Sequence, residues 1–305
     1  MHRRNLCLRK ITLGLIVAMT GEASQAIEPN DPLFSSTYMY PSYYQWGMRT
    51  LNMEEAWNYA RGHAYLAPLD AGIQTNHPDL QNNFRAQFSR KFAPHEDLIS
   101  ENVDELPTTG LSTGHGTHVS GILAASSNNQ IGVVGTCWDC SLMIGKITGV
   151  LGNSSKYEYR TIANGLDWMI KTGAQVVNMS FGSSLSDVFG TDDFSNCSEV
   201  ITFYRNTEYS TEQKKTHALR WCEALDRAEE FDVVLVAAAG NESDQNIDFP
   251  ASDDRVIAVG AIDFSGNVSA WSSDGPEKDL VAPGINQSLT QERPDQRIID
   301  KAFQQ

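Results

Sequence analysis

Short apolar runs alternate with amphipathic stretches along most of the chain. The apolar runs have the length of buried strands: "AYLAPLDAG", "SLMIGKI", "AQVVNMSFG", "DVVLVAAAGN" and "RVIAVGAI". Between the second and third runs, Ile162, Leu166, Met169 and Ile170 recur at helical spacing, and Gly173 follows as a C-terminal cap. Continuous apolar strands that alternate with helices are typical of a parallel sheet covered on both faces. The pattern therefore predicts an α/β fold.

Three other segments have helical character. "HGTHVSGILAA" predicts a helix that buries Val119, Ile122 and Leu123 on one side. A Tyr- and Pro-rich arm after residue 27 leads into a short helix near residues 52–60. A later helix has an apolar stripe formed by Ala218, Trp221, Cys222, Leu225 and Ala228. These helices would cover the predicted sheet.

Polar residues with catalytic potential stand at the ends of these elements. Asp70 ends the first strand, Asn241 follows a later strand, and His115 begins a helix. In parallel sheets, active groups collect at the carboxyl ends of the strands. An aspartate can accept the Nδ1 proton of a histidine, fix its tautomer and stabilise the imidazolium, so that Nε2 acts as a general base. We therefore expect Asp70 and His115 in one site.

The amino terminus has the features of a secretory signal peptide. Basic residues precede an apolar run, "ITLGLIVAMTG", which leads to small residues and a predicted cleavage after Ala26. The alternative, a membrane anchor, is disfavoured because about eleven apolar residues fall short of the roughly twenty needed to span a bilayer. We expect residues 1–26 to be removed and the remainder to be secreted, extracellular or periplasmic, without a membrane contact.

The charge and the cysteines narrow the class of protein further. With 38 acidic and 23 basic residues the net charge is −15, which disfavours nucleic acids and anionic membranes as partners. Four cysteines remain after signal removal, an even number that favours disulfides in an exported chain. Of the three connectivities, we prefer Cys137 with Cys140 and Cys197 with Cys222. Half of a zinc site at "CWDC" is the alternative.

Five segments occur in a fixed order with domain-scale gaps. They are "LDAGIQTNHPDL", "GHGTHVSGILAA", "VVNMSFG", "VVLVAAAGNES" and "DLVAPG". Together they resemble the subtilisin-like serine proteases, from about Asn30, where "NDPLFSS" looks like the start of the domain, to Gly284. The resemblance implies a peptidase domain over residues 27–284 that acts on polypeptides, and we expect a monomer.

The resemblance assigns roles to matching residues. Asp70 is similar to the orienting acid of the catalytic triad, and His115 to its general base. His118 is then a neighbour on the helix, and Asn241 matches the asparagine that donates to the oxyanion. One departure concerns the strand before the acid: the usual "VAVIDTG" is "LAPLDAG" here, with Pro68 removing a backbone donor. Ala71 likewise replaces an expected residue.

The same resemblance implies a substrate strand and a calcium site. Ser180, Phe181 and Gly182 match the segment that hydrogen-bonds the backbone of a bound peptide. Asp79 in "HPDL" matches a position that binds structural calcium in several members. The acidic stretch of about residues 183–231 is an insertion, interpreted as a solvated loop or, alternatively, as a wall of the cleft.

The nucleophilic serine of the family has no match in this chain. The family's "GTSMAxP"-type segment lies after "APG", whereas here residues 285–305 form an unrelated polar tail and no Gly-Thr-Ser occurs anywhere. Ser288 lacks the flanking glycine and the apolar helix. We therefore expect a fold without the serine helix, in a protease truncated before that segment and inactive as given. The alternative is a pseudo-protease that binds peptides or a protein partner.

Overall fold

The computed structural model describes most of the predicted domain. The described residues are 27–34, 45–92, 102–104, 114–147, 149–151, 154–156, 159–184, 188, 197–206, 212–243 and 246–284. The predicted signal peptide and the polar tail lie outside these residues, so the proposed domain boundaries stay predictions. Within the described residues, no helix has the length and apolar character needed to cross a membrane.

The elements follow the alternating pattern of the sequence. The helices are α1 (Trp46–Thr50), α2 (Met53–Tyr59), α3 (His115–Ala124), α4 (Tyr159–Thr172), α5 (Cys197–Asn206) and α6 (Glu212–Glu230). The strands are β1 (Tyr65–Asp70), β2 (Arg90–Lys91), β3 (Ser141–Leu142), β4 (Gly145–Lys146), β5 (Gly149–Leu151), β6 (Ser154–Lys156), β7 (Val176–Met179), β8 (Val234–Ala238), β9 (Val256–Ile262) and β10 (Leu280–Pro283).

Eight strands form one sheet in which every pair is parallel. The order is β10-β9-β8-β7-β1-β4-β2, and β3 also pairs with β1. Strands β5 and β6 form a separate antiparallel pair. Strands β2, β3 and β4 lie on one side of β1, and the later strands β7 to β10 lie on the other. The strand order therefore reverses at β1. A crevice outside the carboxyl ends of the strands is expected at such a point.

Apolar clusters cover both faces of the sheet. Ala67 and Leu69 of β1 lie in the cluster that contains the buried stripes of α4 and α6. Leu66 lies in a second cluster, with Ala124 of α3. Successive side chains of a strand point to opposite faces, so the two clusters occupy opposite sides. The predicted α/β fold, with a mostly parallel sheet between two helical layers, is confirmed.

The expected buried side of α3 is wrong for Ile122, whereas Val119 and Leu123 are half-buried. Its buried residues are small, namely Gly116, Thr117, Ser120, Gly121 and Ala124, whereas Ile122 is 47% exposed. The helix approaches the chain after β1 so closely that a Cβ added at Gly116 would lie 2.1 Å from the carbonyl oxygen of Gly72. Because large side chains cannot enter this contact, small residues occupy it, while Leu123 packs partly against the second apolar cluster.

The predicted single strand "SLMIGKI" is two short strands, β3 and β4. Leu66 pairs with Leu142 and Leu69 pairs with Gly145, so the interruption lies at the level of Pro68. The carbonyls of Leu66 and Asp70 accept from this side, from the N–H groups of residues 143 and 147. Alternate residues of a strand face the same neighbour, so Pro68 faces it too and has no N–H to donate. The central strand β1 thus accommodates Pro68 at the point where its hydrogen bonding changes from β3 to β4.

Candidate active site

Asp70 lies at the carboxyl end of the central strand with its side chain only 4% exposed. Its Oδ1 accepts a hydrogen bond from the backbone N–H of Ala71 (2.6 Å) and lies 2.8 Å from Nδ1 of His115. Among the described residues, Oδ2 is buried without a hydrogen-bond partner. Both contacts are made to Oδ1, which the backbone just after β1 and the histidine therefore hold together.

His115 is the first residue of α3, and its side chain is 50% exposed. The preceding Gly114 has a φ of 87°, a conformation that a glycine adopts without steric cost and that turns the chain into the helix. The predicted pair therefore forms between a strand end and a helix start. Because Asp70 engages Nδ1, proton transfer to a reacting group falls to Nε2 on the accessible side of the ring.

The residue after Asp70, Ala71, has no side-chain donor for Oδ2 of Asp70, which is buried without a hydrogen-bond partner among the described residues. A threonine or serine at this position would carry a hydroxyl next to the carboxylate, whereas alanine offers only its backbone N–H, which bonds to Oδ1. A buried polar atom without a partner costs about 1–3 kcal/mol. Alanine replaces the threonine of the family's "DTG" sequence next to Asp70 Oδ2, the carboxylate oxygen that has no hydrogen-bond donor among the described residues.

The remaining predicted site residues follow β7, which is adjacent to β1, and β8, which is the next strand beyond β7. Ser180, Phe181 and Gly182 come directly after β7, and Asn241 comes shortly after β8. Both strands run parallel to β1 in the order β8-β7-β1. All these residues therefore lie at the same edge of the sheet, and Asn241, which is exposed, stands two strand spacings, roughly 10 Å, from β1.

The segment after β7 is held at both ends. Ser180 Oγ accepts a hydrogen bond from Nδ2 of Asn178 (2.9 Å), and Phe181 packs against the main apolar cluster. Ser183 and Phe249 exchange two backbone hydrogen bonds, of 3.0 and 2.9 Å. Between these anchors Gly182 is exposed. A peptide could therefore approach the backbone of this segment from the solvent side.

Asp79 lies in a second polar site, together with an acid that the sequence analysis did not single out, Asp31. Both are almost fully buried. Asn129 contacts both: its Nδ2 donates to Asp79 Oδ1 (2.9 Å), and its backbone N–H donates to Asp31 Oδ1 (3.3 Å). Val133 N–H donates to Asp79 Oδ2 (3.0 Å). The "NDP" sequence that contains Asp31 was the available sequence signal.

Burial perturbs both carboxyls of this second site. It raises the pKa of Asp79 to about 6, against hydrogen bonds from Val133 and Asn129 that lower it, and the charge of Asp31 raises it further. The pKa of Asp31 is also raised by burial. No group of three or more His, Cys, Asp or Glu side chains suited to a metal occurs in the described part of the chain.

The structure brings the cysteines together in the preferred pairs. The Cα atoms of Cys137 and Cys140 are 5.5 Å apart, those of Cys197 and Cys222 are 5.4 Å apart, and both pairs of sulfur atoms are at bonding distance. The second pair connects α5 to α6, and both of its cysteines are buried. Both cysteines lie within the predicted insertion of about residues 183–231, and α6, which also lies within it, packs in the main apolar cluster.

A histidine held by a buried aspartate at the carboxyl edge of a parallel α/β sheet is an acid–base pair in the place where such sheets carry their active groups. The model of the subtilase family matches residues 62–303. The chain belongs to the subtilase family, as the resemblance of its five segments predicted.

Individual relatives agree with this assignment. The chain is 31% identical to thermitase of Thermoactinomyces vulgaris over 257 residues, which cover 84% of this chain and 73% of thermitase. It is 32% identical to the major intracellular serine protease of Bacillus subtilis, covering 79% of this chain and 64% of that protein. A protease of Pseudoalteromonas arctica shares the fold, with a TM-score of 0.62 at 23% identity, covering 84% of this chain and 72% of that structure. The chain thus spans about two thirds to three quarters of these relatives.

Proposed function

We propose that this chain carries the acid–base and substrate-binding residues of a secreted serine endopeptidase. The observation that supports this most strongly is the 2.8 Å contact between His115 Nδ1 and Oδ1 of the buried Asp70. In this proposal Nε2 of His115 takes the proton of a serine hydroxyl and later gives it to the leaving amine. Asp70 holds the tautomer and stabilises the imidazolium.

Asn241 and the segment of residues 180–182 complete the proposed cleft. The side-chain amide of Asn241 would donate to the oxygen of the tetrahedral intermediate, a contact whose removal costs about 10²- to 10³-fold in turnover in subtilisin. The exposed backbone at Gly182 would pair with an extended peptide, as strand addition to a sheet edge does. The substrate class is therefore polypeptide.

The family's nucleophilic serine is missing from the 305 residues, so we propose that the polypeptide as given does not hydrolyse peptide bonds. Serines near the cleft are engaged elsewhere: Ser180 accepts from Asn178, Ser273 bonds to Glu242, and Ser272 accepts from the backbone of Ala261. Loss of this serine costs about 2 × 10⁶-fold in subtilisin. The second candidate function, a peptide-binding pseudo-protease, would use the exposed backbone at Gly182 to bind a peptide without cutting it.

Fluorophosphonate labelling combined with peptide binding tests this proposal. We expect no stoichiometric labelling of any serine, but saturable binding of an extended peptide, measured by fluorescence anisotropy. Two variants locate the site. Gly182→Pro, which obstructs the exposed backbone, should abolish binding. Glu230→Gln, which changes an exposed acid at the opposite edge of the sheet, should leave binding intact. Stoichiometric labelling would overturn the proposed absence of a nucleophile, and absence of peptide binding would overturn the cleft.

We further propose that the buried Asp31–Asp79 site binds a structural calcium ion. Subtilases commonly bind calcium, and the two buried carboxylates are the hard oxygen ligands that Ca²⁺ prefers. Asn129 directs its N–H groups at both acids, so its amide oxygen, which accepts from Ile131, is not a ligand in this arrangement. Bound calcium would compensate two charges that the fold has desolvated. Isothermal titration calorimetry of the chelator-treated protein with Ca²⁺ tests this, and a silent titration would overturn it.

Secretion and the two disulfides also belong to the proposal. The predicted signal peptide implies a mature protein that begins at Ile27, which amino-terminal sequencing of exported material tests directly. Export to an oxidising compartment would close the cysteine pairs that the fold brings together. Titration of the denatured mature protein with a thiol reagent should therefore find no free thiol, and four reactive thiols would contradict the proposal.

A further inference from the structure

The two cysteine pairs differ in their access to solvent. Cys197 and Cys222 are both buried where α5 meets α6. Cys140 is also buried, but Cys137 is half-buried, and these two residues enclose the turn "CWDC" directly before β3. A thiol must reach a sulfur atom to attack a disulfide, and a buried disulfide reacts only when the structure opens. Of the two pairs, Cys137–Cys140 is therefore the one that a reductant can reach in the folded chain.

Hydrogen bonds connect this turn to α3, the helix that begins with His115. The backbone N–H of Thr136 donates to the carbonyl of Ile122 (2.9 Å), and that of Cys137 donates to the carbonyl of Leu123 (2.9 Å). The hydroxyl of Thr136 also donates to the carbonyl of Ile122 (2.9 Å). Both carbonyls belong to the last turn of α3, where a helix has no partners of its own for them. The chain that enters the cysteine turn therefore caps the C-terminal end of α3.

The loop before β1 packs tightly against the same turn. A Cβ added at Gly62 would be 2.0 Å from Cys137 Sγ and 3.1 Å from Cys140 Sγ. Inside the turn, the backbone N–H of Trp138 donates to the carbonyl of Arg61 (2.8 Å), and the guanidinium of Arg61 lies over the Trp138 ring, 5.0 Å from its centroid. The turn is therefore held by the loop before β1 as well as by α3.

Opening the bond would disturb this arrangement while the chain stays folded. Two thiols cannot remain at the distance of a covalent S–S bond, and Gly62 lies directly against both sulfur atoms, so the turn has to shift. Cys137 Sγ lies 3.5 Å from the carbonyl oxygen of Arg61, an acceptor for the S–H that reduction would form. The bond spans a sequence separation of 3, against 25 for the other pair, and shorter loops contribute less to stability.

We infer that Cys137 and Cys140 form a thiol–disulfide exchange site, at which a dithiol reductant opens the bond and thereby weakens the C-terminal cap of α3. This inference rests on the proposed closure of both cysteine pairs. A thiolate of the reductant attacks Cys137 Sγ, the S–S bond breaks, and Cys140 leaves as a thiolate that takes up a proton. The second thiol of the reductant then attacks the mixed disulfide and releases Cys137 as a thiol. The chain gains two electrons and two protons, and the reductant becomes a disulfide.

The first measurement follows reduction of the folded wild-type chain. The protein is incubated with dithiothreitol, quenched at successive times with iodoacetamide in denaturant, and digested for mass spectrometry. Cys137 and Cys140 should be alkylated at least about 10-fold faster than Cys197 and Cys222, because the buried pair reacts only when the structure opens. Equal rates, or faster reduction of the buried pair, would overturn the inference. Four alkylated cysteines before any reductant is added would overturn the proposed disulfides, and this inference with them.

Hydrogen–deuterium exchange then locates the structural response. With Cys137–Cys140 reduced and the buried pair still closed, the amides of residues 120–137 should exchange several-fold faster, and reoxidation should restore their protection. The amides of α4 are the internal control and should exchange at an unchanged rate.

Two double variants complete the comparison. Cys137→Ser with Cys140→Ser should show the fast exchange of residues 120–137 without any reductant, whereas Cys197→Ser with Cys222→Ser should keep the response of this segment to reductant. Unchanged exchange of residues 120–137 after selective reduction of the wild-type chain would overturn the inference, and this result needs no variant to fold.

Discussion

The buried carboxyl of Asp79 gives the sharpest stability prediction. Its pKa is raised from 3.8 to about 6, chiefly because burial disfavours the charged form. The folded state therefore holds this proton more tightly than the unfolded chain does. Between pH 4 and 6 the folded state binds more protons, so this carboxyl's contribution to the free energy of unfolding falls as the pH rises. A shift of this size corresponds to about 3 kcal/mol.

The perturbation is Asp79→Asn, measured by urea unfolding at pH 4, 5, 6 and 7 in the presence of a chelator. Asparagine has no proton to lose, so the variant lacks this pH dependence. Relative to wild type, its free energy of unfolding should improve by about 2–3 kcal/mol between pH 4 and pH 7. Asp139→Asn, which changes an exposed acid, is the control and should track the wild type at every pH.

At pH 7, added calcium should make the wild type more stable to unfolding than the Asp79→Asn variant. Calcium at 100 times its dissociation constant would stabilise the wild type by about 2.7 kcal/mol and the Asp79→Asn variant by much less. Because the metal requires the ionised carboxylate, its effect on the wild type should fade below pH 6. Two results would refute the reasoning. Without calcium, the difference in free energy of unfolding between wild type and variant would not depend on pH. Alternatively, calcium would stabilise both proteins equally.

Three further predictions concern the close packing of α3, the buried Oδ2 of Asp70 and the Cys197–Cys222 pair. Gly116→Ala should destabilise the fold by about 3 kcal/mol, because its methyl group would meet the backbone carbonyl of Gly72. Gly114→Ala should cost only about 1 kcal/mol, because alanine is disfavoured at its positive φ. The midpoints of thermal unfolding of the two variants test this difference. Ala71→Ser should stabilise by about 1 kcal/mol in urea titrations if its hydroxyl donates to the buried acid. Cys197→Ser should cost about 3 kcal/mol in differential scanning calorimetry under oxidising conditions, and nothing beyond the wild type under reducing ones.

The sequence predicts the elements whose periodicity is strong. The stripe of α4, from Ile162 to Ile170, is buried as expected, and β1 ends at Asp70 as expected. The pairing of Asp70 with His115 also follows from the sequence, because carboxyl ends of parallel strands share one edge and the helix that leads into the next parallel strand, β3, must begin there. In these cases a local pattern and the sheet topology point to the same answer.

The features that the sequence does not reveal depend on close packing or on distant segments. The buried side of α3 follows from the contact between Gly116 and Gly72, which no hydrophobic count shows. The break between β3 and β4 depends on Pro68 in a neighbouring strand. Asp31 meets Asp79 through Asn129, about a hundred residues further along the chain. Such contacts are set by three-dimensional proximity, so spacing along the chain does not predict them.

The central claim is that Asp70 holds His115 as an oriented base. Nitrogen-15 NMR of the histidine-labelled protein, with His115 assigned by comparison with His115→Gln, tests it most directly. In the neutral ring the proton should reside on Nδ1, which faces Asp70 Oδ1 at 2.8 Å, and Asp70→Ala should shift the tautomer toward Nε2–H. An Nε2–H tautomer in the wild type, or a tautomer ratio that Asp70→Ala leaves unchanged, would contradict the account.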